Sequence, residues 1–361
     1  MKHYVGLDVS KKETFICIVD EKGAVVSQER TKTDPELIAK ALLKHQIEIE
    51  KVGLESGSLS HWLTDSLRKL KVPAICVDAR KMASILSVQI NKTDKNDAKG
   101  IAEAMRCGMY REVTLKSQKA LETTTLMNSR KLLVEQKTQI TNAIRGFLKT
   151  YGIRLGSIGD ASFSKKIKEL LSGTYEIAKI GLDALLDSFD TILMKLKELK
   201  CEIEKLVETN EEAKRLRTIP GVGAVVAMSF LAEIDDPKRF KKSRSVGAYL
   251  GMTPKQYSSG ESKRQGRISK CGSAEVRALL HEAAIVLLTR SSKWSRLRAW
   301  GLKLKKKHGT KKAAMAVARK LAVIMHRMMI DETDFIYGEP KTEKKEAENE
   351  KEVSLCIAKA V

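Results

Sequence analysis

Two short apolar, β-branched runs near the N-terminus each end on an acid: residues 3–7 lead into Asp8 of VGLDVSK, and residues 51–54 into Glu55 of VGLESGS. Runs of this kind, bounded by turn formers, read as buried strands. Two further acids, Asp94 and Asp97 of KTDKNDA, are three residues apart and share a face if the segment is helical. A lone Asp after a strand is usually a cap or turn residue, and a lone DxxD is usually a solvated helix face. Here the weight lies in the order of strand–Asp, strand–Glu and DxxD within the first hundred residues. Carboxylates gathered from several elements repel one another unless cations stand between them. Hard divalent ions such as Mg²⁺ take oxygen ligands and retain water. Two of them, about 3.5–4 Å apart, clamp the attacking and leaving oxygens of a phosphodiester. The pattern points to metal-dependent phosphoryl transfer.

The neighbouring segments supply a fold. HYVGLDV, ETFICIV and AVVSQER read as three consecutive strands, with DEKG as a tight turn between the last two. DPELIAKALLKH then starts a helix, with Asp34 as cap and Pro35 in the first turn. A strand (KVGLE), a helix over residues 59–70, a strand (VPAICVD) and a last helix from KTDKNDAKGIAEAMR follow. Three antiparallel strands followed by alternating helices and strands describe a ribonuclease-H-like (RuvC-like) α/β core.

The rest of the chain reads as α-helical. Leu182, Leu185, Phe189, Ile192, Leu196, Leu199, Ile203 and Leu206 alternate three and four apart, the spacing of a coiled-coil seam. A shorter matching run is Leu133, Ile140, Ile144, Phe147 and Tyr151, with the glycine-rich connector YGIRLGSIGD between the two. The pair can close on itself or on a second chain. RTIPGVGAVVAMSFLAEI resembles a helix-hairpin-helix, in which Gly221 and Gly223 let the backbone and the following amides approach a phosphate; an ordinary helix–turn–helix corner is the plainer reading.

Charge separates these regions. The first 112 residues balance 19 basic against 16 acidic groups, whereas residues 238–312 hold 21 Lys and Arg against three acids, a balance of +18. That concentration is the footprint of a polyanion-binding surface. Aromatic residues are few, so phosphate contact outweighs base stacking. The six cysteines are scattered without CxxC spacing, which suits free thiols in a reducing compartment rather than zinc or disulfides. No apolar run is long enough for a membrane span, and no signal-peptide pattern opens the chain. A cytoplasmic, nucleoid-associated protein is expected.

A second chemical feature lies inside the basic segment. In AYLGMTPKQYSSGESKRQGRISKCG, Ser258 and Ser259 precede a glycine, and Lys263, Arg264, Arg267 and Lys270 follow. A serine hydroxyl needs activation and charge stabilisation to attack a phosphate. The cations supply the second requirement, and the nearest carboxylate is Glu261. From the residues alone this is a phosphate-contacting turn.

GLDVSK, LESG and KTDKNDA, followed by IPGVG, AYLGMTP, SSG, GRISKCG and VRALLHEAA, resemble in kind and order the DEDD-type insertion-sequence transposases, the bridge-RNA-guided recombinases, over about residues 3–330. The resemblance implies a ribonuclease-H-like DEDD domain over 1–112, a long-helix coiled coil over 113–212, and a basic helical transposase domain over 213–337. A disordered tail is expected over 338–361. It further implies that Asp8, Glu55, Asp94 and Asp97 hold two Mg²⁺ ions, with Mn²⁺ as an alternative. Ser259, or else Ser258, would attack DNA to give a covalent phosphoserine. Gly221, Gly223, Ser258, Lys263, Arg264, Arg267, Lys270 and Arg277 would contact nucleic acid. The implied partners are DNA, a structured guide RNA, and further copies of the chain, as a dimer or tetramer through the coiled coil. One departure is Glu-Ser-Gly-Ser at 55–58, where the family often has Glu-Ala-Thr-Gly; the acid is retained.

Three other readings compete. A junction-resolving nuclease would use metal-activated water and no adduct. An actin-like sugar or acid kinase also carries a GLDVSKK-like loop, but no later glycine-rich nucleotide loop is found here. A non-catalytic DNA-binding protein with a degenerate core would have lost acids that this chain keeps.

Overall fold

The first three runs are strands: β1 (Lys2–Val9) and β2 (Glu13–Asp20), each buried along most of its middle, and β3 (Val25–Lys32), which is half-buried or exposed throughout. Asp34 caps α1 (Pro35–Leu43), its carboxylate accepting the Glu36 and Leu37 amides, with Pro35 in the first turn. There follow β4 (Glu48–Glu55), α2 (Ser60–Lys69), β5 (Ala74–Val77), α3 (Ala79–Leu86) and α4 (Asp94–Cys107). The sheet order is β3-β2-β1-β4-β5; β2 is antiparallel to both neighbours, and β1, β4 and β5 run parallel. This is the mixed α/β architecture expected of a ribonuclease-H-like core. The helix α3 was not anticipated from the sequence.

The computed structural model describes residues 1–87, 91–259 and 262–337, and the side chains of Ser262 and Lys263 are not among the described features. The expected tail over 338–361, Gly260 and Glu261 lie outside the described residues. The chain divides into Met1–Lys116 and a second unit that begins at Ser117.

In the first unit the sheet is covered on both faces. Val5, Leu7, Ile16, Ile18, Val52 and Leu54 pack on one side with Ile38 and Leu42 of α1 and Leu63 and Leu67 of α2. On the other, Ala98, Ile101, Ala102 and Met105 of α4 meet Cys17, Val19, Val77 and Met82. Each such aliphatic side chain, fully buried, contributes about 1.5–3 kcal/mol.

The second unit opens with α5 (Gln118–Thr150), α6 (Asp160–Leu170) and α7 (Glu176–Glu208); α5 and α7 have 33 residues each. Ile144, Leu148, Phe163, Ile167, Leu182, Leu186 and Phe189 form one core among the three helices. Of the seam expected on α7, Leu182, Phe189 and Ile203 are buried, Leu185, Ile192, Leu196 and Leu199 are half-buried, and Leu206 is exposed. Beyond lie α8 (Glu211–Arg217), α9 (Ala224–Ile234), α10 (Arg244–Tyr249), the ribbon β6 (Pro254–Ser259) and β7 (Ser262–Ile268), α11 (Ala274–Thr289), α12 (Arg296–His308) and α13 (Thr310–Asp331). A core centred on α9, α11 and α13 unites the helices. No helix among the described residues is long and apolar enough to cross a membrane.

Candidate metal centre and nucleic-acid interface

β1 and β4 lie side by side, parallel and in register, with Gly6 opposite Gly53 and Leu7 opposite Leu54. The next residue on each strand is an acid. Asp8 and Glu55 therefore leave the sheet at the same edge, about one strand spacing of 4.8 Å apart. Alternation puts Asp8 on the face of Gly6, and Glu55 on that of Gly53. α4 occupies this face. A Cβ on Gly6 would lie 2.0 Å from the Ala98 carbonyl oxygen and 2.5 Å from the Ala102 nitrogen; one on Gly53 would lie 2.7 Å from the Met105 side chain. The two missing side chains let α4 rest directly on the sheet, and that contact fixes its first turn. Thr93 caps that turn by accepting the Asn96 amide at 3.2 Å. Asp94 and Asp97 both sit there, where the helix dipole favours negative charge.

The acids sense one another. Burial, and then the charges of Asp94 and Asp97, raise the Asp8 pKa above the usual carboxylate range. Glu55 is raised likewise, first by burial and then by Asp8 and Asp97. Lys92 acts in the opposite sense on both. Arg30 on β3 bridges Glu13 at 3.3 Å and Asp94 at 3.5 Å. The sequence analysis named the four acids but not Gly6, Gly53, Lys92 or Arg30. The VGL that precedes both Asp8 and Glu55 was the available signal for the glycines.

Among the described residues no three His, Cys, Asp or Glu side chains stand close enough to share one metal ion. The chemistry of the four acids, hard oxygen donors with raised or opposed charge, is nonetheless the donor set of a hard divalent cation.

The paired serines lie on a strand rather than in a loop. In the β6–β7 ribbon Ser258 pairs with Lys263, and Ser259 with Ser262. Every residue of β6 is exposed, as are Arg264 and Arg267. Neither serine side chain has a hydrogen-bond partner among the described residues. The ribbon is anchored at its base: the Ser269 amide donates to the Thr253 carbonyl at 2.8 Å, and the Lys270 amide to the Gly251 carbonyl at 3.0 Å. Gly251 has a φ of +68°, and a Cβ there would lie 2.1 Å from the Cys271 carbonyl oxygen. Arg277 on α11 donates to the Leu250 and Cys271 carbonyls at 2.9 and 3.1 Å, so its guanidinium braces the same base.

Gly221, with a φ of +89°, packs its turn against α11; a Cβ there would fall 2.5 Å from the Ala283 carbonyl oxygen. Gly223 begins α9 with no side-chain cap, and the space beside its Cα is open. Much of the charge between residues 255 and 312 is uncompensated. Among the described residues, Lys255, Arg264, Arg267, Lys270, Lys303, Lys305, Lys306, Lys307, Lys311 and Lys312 form no ion pair.

Comparison with known proteins places this geometry. Residues 5–153 match a DEDD family model described as "Transposase", and residues 213–299 match "Transposase IS116/IS110/IS902 family". The chain is 31% identical over 280 residues to the transposase for insertion sequence element IS1328 of Yersinia enterocolitica, covering 76% of this chain and 81% of that protein. It is 28% identical over 340 residues to the transposase for IS1111A of Coxiella burnetii, covering 92% and 91%. The pilin gene-inverting protein of Moraxella bovis is 24% identical over 352 residues, 91% and 96% of the two chains. DEDD transposases act on DNA and imply divalent metal ions, for which the four carboxylates are suitable donors. The chain belongs to the IS116/IS110/IS902 family of transposases and is an enzyme of DNA recombination.

Proposed function

We propose that Asp8, Glu55, Asp94 and Asp97 hold two Mg²⁺ ions and that Ser259 is the nucleophile of DNA strand cleavage. The observation that carries this reading is the seating of Asp8 and Glu55 on adjacent parallel strands, under the helix turn that bears Asp94 and Asp97. When bound, the ions would stabilise charge on the phosphate and lower the pKa of an attacking hydroxyl. Ser259 lies at the end of an exposed strand, and Arg264 and Arg267 lie on the strand opposite. In the proposed step the Ser259 Oγ–P bond forms, the bond from phosphorus to the leaving deoxyribose oxygen breaks, and the serine proton passes to that oxygen. Attack by a deoxyribose hydroxyl on the phosphoserine would reverse these changes and join a new strand. Ser258 is the other candidate.

Strand joining, rather than hydrolysis alone, is supported by the relative named for inverting a pilin gene, since inversion needs both cutting and rejoining. The unpaired cations suit DNA together with a structured guide RNA, whose base pairing would choose the target, as in other RNA-guided systems. Half-buried Leu196 and Leu199 and exposed Met194 on α7 support assembly into a dimer or tetramer through the long helices. The 1–112, 113–212 and 213–337 division is the proposed assignment of these roles. The glycines of the α8–α9 turn would act as a helix-hairpin-helix phosphate grip.

A covalent-adduct map tests the reading. The protein would be expressed with its flanking noncoding DNA, recovered with DNA under denaturing conditions, and its modified peptide identified by mass spectrometry. A nucleotide on Ser259, absent from Asp8→Ala, is the expected result. Cleaved or joined DNA without an adduct would instead favour a junction-resolving hydrolase, with the serines reduced to phosphate contacts.

A further inference from the structure

Beside the acids the first unit holds a cavity of about 460 Å³. The turn after β1 contributes Ser10 and Lys11, the loop after β4 contributes Gly57, Ser58 and Ser60, and Glu55 lines it as well. Both walls are fixed. The Ser10 hydroxyl donates to the Glu13 carbonyl at 2.7 Å and accepts the Glu13 amide at 3.2 Å, while the Thr33 hydroxyl holds the Ser10 carbonyl at 2.9 Å. In the other loop the Ser60 hydroxyl donates to the Gly57 carbonyl at 2.8 Å and accepts its amide at 3.1 Å.

Those groups are engaged by the fold, whereas two are not. The Lys11 ammonium and the Ser58 hydroxyl have no hydrogen bond or ion pair among the described residues. Lys11 is exposed and forms no ion pair with Asp8 or Glu55 among the described residues. A cation at the wall of a cavity shared with Glu55, yet not neutralising it, suits an anion that arrives from outside. Gly57 is the second clue. A Cβ there would meet nothing within 4 Å, and its backbone is not left-handed, so neither packing nor conformation requires glycine. Gly57 and Ser58 are exposed, so the cavity opens to solvent along this loop. Its volume lies in the range of small-ligand pockets, about 300–1,000 Å³, which accommodates one nucleotide but not a duplex.

We propose that this cavity seats one nucleotide of the DNA strand being cut, adjoining the scissile phosphate. Lys11 pairs with that nucleotide's phosphate, Ser58 donates a hydrogen bond to it, and Gly57 leaves room for the sugar. Lys11 is then a positioning residue, and the inference rests on reading the four acids as the cleavage centre.

Disulfide trapping tests it in the full chain. Ser58→Cys would be equilibrated with a mixed-sequence single-stranded oligodeoxynucleotide bearing a thiol-tethered cytosine at successive positions. Trapping should exceed that of the parental chain, whose exposed thiols among the described residues are Cys107 and Cys201, by about tenfold through effective concentration. Adding Gly57→Leu, which fills the cavity, should return it to the parental level, while Gly57→Ala should not. Lys11→Ala should lower the salt slope of binding for the trapped strand by about 0.7, and Lys11→Arg should restore it. Trapping at the parental level, trapping unaffected by Gly57→Leu, or an unchanged salt slope would each overturn the proposal. Equal trapping of free thiol-tethered deoxycytidine monophosphate would also overturn it, making the cavity a mononucleotide site. Trapping does not depend on cleavage, so the two readings fail separately. An Asp8→Ala chain that still cuts DNA would sink the cleavage-centre reading, whereas an inactive Asp8→Ala chain with no trapping at position 58 would sink only this inference.

Discussion

Asp8 and Glu55 have carboxyls whose pKa is higher in the folded chain than in the unfolded one, through burial and the neighbouring acids. Their contribution to stability is complete below the unfolded carboxylate range, near about 4. It is lost as pH rises through the raised folded values. Without divalent ions, the melting temperature of the parental chain should therefore fall between pH 4 and 7 relative to Asp8→Asn. At pH 7 the variant should melt about 1–4 °C higher; scanning fluorimetry in chelator reads this, and an identical pH profile for both chains would remove the repulsion argument. Asp8→Ala should also abolish strand cleavage while leaving DNA affinity nearly unchanged, as read by gel shift. A parallel loss of binding would mean that the acid shapes the fold. Gly6→Ala acts differently, because its methyl meets the α4 backbone rather than a movable side chain. It should destabilise the first unit by about 1–3 kcal/mol, measurable by urea denaturation. Asp8 and Glu55 were legible in the sequence because each ends an apolar run, and Asp94 and Asp97 because they are spaced to share one helix face. The glycines were not, because a glycine inside a strand reads only as local weakness until the helix above it is known.

At the scale of elements, legibility followed periodicity. The two long helices announce themselves by apolar repeats, and the short α1 by Asp34 and Pro35, whereas α3 and α6, eight and eleven residues long, were not anticipated. The β6–β7 ribbon escaped as well. Its residues are polar on both faces, so no alternation marks it, and it is anchored at its base by backbone bonds and Arg277. If the ribbon lies on DNA, Arg264→Ala with Arg267→Ala should lower the salt slope of duplex binding by about 1.8, and an unchanged slope would place the DNA elsewhere. The seam on α7 also departs from a strict heptad. Leu186, outside the expected set, is buried against Phe163 and Ile167 of α6, while Leu206, inside it, is exposed and Val207 is buried in its place in the core that holds α8 and α9. The half-buried stretch remains the place to test assembly. Leu196→Glu with Leu199→Glu should reduce the particle mass in light scattering, and an unaltered mass would remove the long helices from the interface.

Over the whole molecule, the chain divides into two compact units, each with apolar cores of its own. Thermal unfolding should therefore resolve two transitions, and Mg²⁺ should raise only the one belonging to Met1–Lys116. A single transition would show that the units unfold together. Charge divides the chain as sharply as packing does. Residues 238–312 carry a balance of +18, and the lysines of α12 and of the start of α13 find no acid among the described residues. A surface so arranged repels itself, and only an external polyanion relieves it. The second unit is in that sense one half of a salt: freshly isolated protein should come with nucleic acid attached, and stripping it away should leave a less stable and less soluble chain.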